Sequence, residues 1–180
     1  MIKLMDILKE STKKDYIIYF DMDDTLTDYS YRLKNTVIDD PETGENRPIK
    51  PSDTSDNKDF WTSAQWLPGS KEMIQFAQQN FSKVEILSAF PVHSKSDQAL
   101  TGKRFRKDPV DGKIEWLNKN VGPIKTNLTG NGKEKAIFAK PNAVLIDDKP
   151  ENIQAFTNAG GIGILMYDPK KVIQQLQQLK

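Results

Sequence analysis

Residues 16–20 read Y-I-I-Y-F, and residues 21–28 read D-M-D-D-T-L-T-D. A short run of β-branched and aromatic residues predicts a strand buried in a sheet. It stops abruptly in Asp21, Asp23 and Asp24. Like charges this close raise one another's pKa unless a cation offsets them, so the pattern is costly to keep for stability alone. A divalent metal site at the carboxyl end of a strand accounts for it, and oxygen-only ligands favour Mg²⁺.

Two further runs extend the pattern. Val84-Glu85-Ile86-Leu87 ends in Ser88, and Ala143-Val144-Leu145-Ile146 ends in Asp147 and Asp148. All three fit parallel strands of an α/β sheet, whose binding crevice lies outside the strands' carboxyl ends. One crevice then receives two acidic pairs and a hydroxyl.

Between these runs, helix and strand signals alternate. Pro68-Gly69-Ser70 opens a helix through Phe81, with Met73, Ile74, Phe76 and Ala77 on its apolar face. A helix is expected over residues 112–120, a short strand over 124–128, and a helix or loop over 133–139. Residues 151–158 read as helix ended by Gly160-Gly161, 162–166 as the last strand and 170–179 as a closing helix. Residues 1–14 read as a short amphipathic helix. Such alternation implies a doubly wound, Rossmann-like parallel sheet with right-handed crossovers.

Residues 29–59 are polar and punctuated by Asp-Pro, Thr-Gly, Arg-Pro and Lys-Pro, which predicts an irregular insertion. Aromatics return at Phe60-Trp61 and Trp66-Leu67. The expected division is a core of residues 1–28 and 68–180 with a small cap, 29–67, inserted after the first strand and covering the crevice. With 26 basic and 25 acidic residues, net charge speaks neither for nor against nucleic acid. No cysteine occurs, which excludes disulfides, thiolate metal sites and cysteine nucleophiles. The first residues suit neither a signal peptide nor a membrane span, so a soluble, cytoplasmic protein without membrane partners is expected.

D-M-D-D-T resembles the first motif, Asp-x-Asp-x-Thr/Val, of the haloacid dehalogenase-like phosphohydrolases. I-L-S-A is similar to their second motif, a lysine ahead of the last acidic strand to the third, and L-I-D-D to the fourth. The resemblance covers residues 16–148. It implies a phosphomonoester hydrolase in which Asp21 is the nucleophile, forming an aspartyl-phosphate that water then releases. Asp23 is the general acid and later base, and its backbone carbonyl joins the metal site. Asp21 and Asp148 are the preferred Mg²⁺ ligands, with Asp147 behind them or bound through water. Ser88 donates to a phosphoryl oxygen, and a lysine neutralises the remaining charge. Lys135 has the best spacing, with Lys133 and Lys140 as alternatives.

A finer resemblance is to the 5'(3')-deoxyribonucleotidase branch. It rests on F-W-x-x-x-x-W-L-P-G-S-K-E-M at 60–73, K-I-E-W-L-N-K-N-V-G-P at 113–123 and A-V-L-I-D-D-K at 143–149. It implies nucleoside monophosphates as small-molecule substrates, although this cap is shorter and more polar than that branch carries. The alternatives are a phosphatase of nucleic-acid ends, using the basic run Lys103, Arg104, Arg106 and Lys107, or an idle binding protein on the same fold. Asp24 and Asp28 read as a turn or cap residue and a solvated acid, Thr25 as a loop hydrogen-bonder, and His93 as a surface or packing residue. Trp61 and Trp66 read as packing residues, with base stacking as the alternative. Oligomeric state is not encoded in any of these patterns.

Overall fold

The computed structural model describes residues 16–92 and 105–180. The helix expected over residues 1–14 and the residues His93, Lys103 and Arg104 lie outside them. Strand β1 (Ile17–Phe20) occupies the centre of a five-stranded, all-parallel sheet. Strands β4 (Lys83–Ala89) and β5 (Thr126–Thr129) lie on one side of it, and β6 (Ala143–Asp147) and β7 (Ile162–Leu165) on the other. The chain therefore reverses its direction of winding beside β1, and the crevice of such a sheet opens at that switch point.

Central strands need apolar residues on both faces because helices cover both. Alternate side chains of one strand consequently enter different cores. Ile18 and Phe20, with Ile86, Val144 and Ile146, meet Met73, Ile74 and Ala77 of α3 (Ser70–Asn80), Trp116 and Leu117 of α4 (Lys107–Asn120), and Val172 and Leu176 of α6 (Pro169–Gln178). Tyr19, Leu87 and Leu145 face the other way, onto Phe156 of α5 (Pro150–Asn158) and Phe138. Removing the side chain of Ile18 beyond Cβ would cost about 2–5 kcal/mol at such a buried site.

Register positions the acids. Phe20 is paired with both Ile86 and Ile146, so the next residues, Asp21 and Asp147, emerge level with one another. The Asp21 amide closes this ladder by donating to the Ile146 carbonyl at 2.9 Å. Helix α4 begins at Lys107, five residues before the expected start. Pro109 falls in its first turn, where no intrahelical N–H bond is required.

Residues 29–67 are more ordered than their composition predicts. They contain α1 (Tyr29–Asn35), the antiparallel hairpin β2 (Val37–Asp39) and β3 (Asn46–Pro48), a 3₁₀ turn (Pro51–Asp56) and α2 (Lys58–Thr62). Ile49, Phe60 and Trp61 form a small core with Tyr29, Leu33 and Ile38. Tyr29 stacks on Trp61 at 5.5 Å and 12°. Arg47 ties the hairpin to the 3₁₀ turn, reaching Asp40 at 2.5 Å and Asp53 at 2.6 Å. Six scattered apolar residues and one branched ion pair stabilise this segment, too sparse a signal to show as periodicity.

Candidate active site

Three segments converge at the carboxyl end of the sheet. Asp21 leaves β1 and is 5% exposed; Asp147 ends β6 and is fully buried. Lys135, from the 3₁₀ segment Gly132–Phe138, lies between them and is itself buried. Its ammonium is 2.9 Å from Asp21 Oδ1 and 2.5 Å from Asp147 Oδ2. Burial alone would push this lysine's pKa down, but the two carboxylates outweigh it and hold it above its ordinary value, hence charged. Burial would likewise raise Asp21; the adjoining Lys135 charge prevails and lowers it, keeping the carboxylate ionised.

Asp147 has its oxygens occupied. Besides Lys135 it accepts from the Lys149 amide at 2.9 Å and from Asn152 Nδ2 at 2.9 and 3.1 Å. Asn152 reaches it because Gly132 leaves room: a Cβ at Gly132 would lie 2.0 Å from Asn152 Oδ1. Asp148 is in the opposite condition. Among the described residues its Oδ1 is buried without a hydrogen-bond partner, as is Ser88 Oγ, whose hydroxyl lies near enough to Asp21 to help hold that carboxylate's pKa down. Asp21 Oδ1 is close enough to Lys135 for an ion pair but is not aligned as a hydrogen bond. Burial first, then the charges of Asp21 and Asp147, push Asp148 up to about 7.

Carboxylate oxygens of Asp21, Asp147 and Asp148 come within 4.8 Å of one another. Unsatisfied buried acceptors are costly, and these are oxygens only, the donor set of a hard divalent cation. The residues present fit Mg²⁺. Asp21 and Asp148 have oxygens to offer it, whereas Asp147 is committed to Lys135 and Asn152.

Asp23 forms the other half of the site. The turn after β1 folds back on the Met22 carbonyl, which accepts from Leu26 N at 2.8 Å and Thr27 N at 3.0 Å. Asp24 sits there with φ +56°. Asp23 Oδ2 accepts from Lys113 Nζ of α4 at 2.6 Å. Burial raises the Asp23 pKa, Lys113 opposes this, and the Asp21 charge adds to the rise, so the carboxyl stands above its usual range. Near neutral pH such a group exchanges protons more readily than an exposed aspartate.

Two adjoining clefts meet at Asp23. One of about 480 Å³ is lined by Asp21, Asp23, Ser88, Lys133, Lys135 and Lys149. The other, about 400 Å³, is lined by Asp23, Tyr29, Trp61, Phe90, Pro91 and Asp148. Of the three candidate lysines, Lys135 touches two acids, Lys133 lines the first cleft, and Lys140 lines neither.

Asp24 accepts from Ser30 N at 2.8 Å and Ser30 Oγ at 2.5 Å, satisfying the first turn of α1, and Asp28 accepts from Gln65 N at 2.9 Å. Thr25 Oγ1 is buried without a partner among the described residues. Arg106 pairs with Asp56 at 3.2 Å and Lys107 with Asp111, and neither lines either of these two clefts. Trp61 is buried and donates to the Thr54 carbonyl at 2.8 Å, and Trp66 packs edge-on against Trp116 at 4.7 Å; both are packing residues.

Lys113 and Asn152 escaped the sequence pattern. Lys113 carried a signal nonetheless, since it shares the helical face of Trp116 and Leu117, three and four residues on. A charge on an apolar stripe requires a buried partner. Asn152 follows the acidic pair closely, but an asparagine in a first helical turn ordinarily reads as solvated.

No family model matches the chain, and no curated protein does. Among solved structures it is similar to D,D-heptose 1,7-bisphosphate phosphatase from Burkholderia thailandensis, at 12% identity and TM-score 0.50, covering 90% of this chain and 98% of that one. It is also similar to the HAD domain of an effector protein from Legionella pneumophila, at 13% identity and TM-score 0.48 over 91% and 94% of the two chains. A hydrolase from Pseudomonas syringae gives 15% identity and TM-score 0.45 over 91% and 89%. The sheet order and the first of these likenesses identify the fold as a doubly wound, Rossmann-like α/β fold. Among the described residues no helix is long and apolar enough to cross a membrane.

Proposed function

We propose that this chain is a Mg²⁺-dependent phosphomonoesterase working through an aspartyl-phosphate on Asp21, with nucleoside monophosphates as its substrates. The observation that supports it most is the pair of unsatisfied buried oxygens on Asp148 and Ser88 facing the Asp21–Lys135 ion pair. A phosphate dianion carried to that point would accept from the Ser88 hydroxyl, and a cation would meet the Asp148 oxygen. Ser88 donates to one of the phosphate's oxygens, and Lys135 holds negative charge without giving up its proton.

Asp21 and Asp148 would hold Mg²⁺, which when bound offsets the repulsion between a carboxylate nucleophile and the phosphate. An Asp21 oxygen then forms a bond to phosphorus as the ester P–O bond breaks. Asp23 delivers its proton to the departing oxygen. In the second half a water gives a proton back to Asp23 while its oxygen bonds to phosphorus, and the bond to Asp21 breaks, regenerating the carboxylate. Two steps of moderate barrier replace one very slow hydrolysis.

Residues 29–67 act as the cap in this scheme, and Tyr29, Trp61, Phe90 and Pro91 give the leaving-group cleft an apolar lining suited to a nucleoside. The described part of the basic run is paired with Asp56 and Asp111, which disfavours nucleic-acid ends. The reaction is assigned to the cytoplasm. Assaying nucleoside monophosphates, sugar phosphates and 5'-phosphorylated oligonucleotides with Mg²⁺ tests the proposal. Preference for the mononucleotides is expected, and turnover of none of them would refute it.

A further inference from the structure

Position 113 lies on the buried stripe of α4, where a leucine or methionine would pack without desolvating a charge. Lys113 is instead fully buried there. Its ammonium donates to Asp23 Oδ2 at 2.6 Å and to the Ala89 carbonyl at 3.1 Å. The rings of Trp61 and Phe90 each have their centroid 4.6 Å from it. Two acceptors and two aromatic faces thus fix the head group. It bridges the loop after β1 and the residue after Ser88, the tips of two neighbouring strands.

Its neighbour contributes to this arrangement. Gly112 allows α2 to lie against α4, since a Cβ there would stand 2.6 Å from Trp61 Cβ and 2.9 Å from the Lys58 carbonyl. One of the two rings that cover Lys113, Trp61, therefore comes from the inserted segment, and the absence of a side chain at Gly112 lets it close.

We propose that Lys113 is a positioning residue, whose ammonium holds the Asp23 carboxylate at the junction of the two clefts so that it meets the departing ester oxygen. This rests on the phosphatase reading above. A buried ion pair is in general a poor stabiliser, because desolvation offsets most of the attraction. Keeping one whose carboxylate lines the cleft is economical only if the orientation of that carboxylate matters.

The variant Lys113→Met removes the charge at nearly constant volume. Two measurements read it: a high-resolution crystal structure for the Asp23 rotamer, and kcat/KM on glycerol 2-phosphate and p-nitrophenyl phosphate. The ratio kcat/KM reports the transfer to Asp21, before water enters. We expect Asp23 to leave its rotamer, kcat/KM on the alkyl ester to fall about 100-fold, and the aryl ester to lose less than about tenfold, because nitrophenolate departs without protonation. An unmoved Asp23, or equal losses on both esters, overturns the inference. If the methionine variant does not fold, Lys113→Gln, which keeps a donor for Ala89, is read the same way with the same signs. If the wild-type protein hydrolyses neither these esters nor a nucleoside monophosphate, the phosphatase reading has failed, and the Asp23 rotamer alone then decides the role of Lys113.

Discussion

Two buried lysines divide the site into a sheet half and a helix half. Lys135 meets Asp21 and Asp147 and lies 12 residues from the latter along the chain. Lys113 meets Asp23 and lies 90 residues from it. In the sheet half the acids emerge from strands whose register is set by apolar pairing, and the groups that donate to the Asp147 carboxylate among the described residues come from residues 135–152. In the helix half the partner arrives on α4, and a ring over it, Trp61, arrives from the segment 29–67, which has a small core of its own. One half is local in sequence and rigid by sheet geometry. The other exists only when helix, turn and insertion have docked.

The largest effects should separate the halves most sharply. Asp21→Asn should abolish turnover of p-nitrophenyl phosphate, by about 10⁴-fold or more, with the thermal melting profile kept. Retained activity would show that Asp21 is not the nucleophile. Chelation with EDTA should silence the enzyme and added Mg²⁺ should restore it; activity indifferent to both would exclude a cation between Asp21 and Asp148. Lys135→Met should cost about 10²- to 10³-fold in kcat, the scale of removing one charge-stabilising group, while Lys133→Ala and Lys140→Ala remain near wild type. The reverse ranking would move the role to another lysine.

A smaller effect tests how tightly the sheet half is built. Gly132→Ala must displace Asn152 from Asp147, so it should lower stability by about 1–3 kcal/mol in chemical denaturation. The smallest effect concerns pH. Asp148 is raised to about 7 from an ordinary carboxylate value near 4. A raised carboxyl favours folding below its unfolded pKa, and that contribution is lost as pH rises through the folded value. The metal-free protein should therefore lose stability between about pH 4 and pH 7, and bound Mg²⁺ should reverse the loss. Differential scanning calorimetry should find a larger Mg²⁺-induced rise in Tm at pH 8 than at pH 6. An equal rise at both would mean that Asp148 does not face the ion.

Residues 29–67 show why composition misleads locally. The polarity of residues 29–59 suggested irregular chain, yet Arg47 links Asp40 to Asp53 and Tyr29 stacks on Trp61. Those contacts join residues up to 32 positions apart, beyond any window in which a helical or strand period registers. The strands around Asp21 and Asp147 were legible because burial on both faces demands continuous apolar runs, and acids at their ends stand out against them.

What the chain's own order of residues determined was therefore the sheet and its rim: apolar runs become strands, and their final residues must share an edge. Tertiary structure alone decided which lysine meets which aspartate. A side chain's nearest neighbours depend on how helices dock, and the absence of a Cβ at Gly112 and Gly132 set two of those approaches. A charge can be read from sequence, but its partner is found only once the surrounding chain has removed water from both.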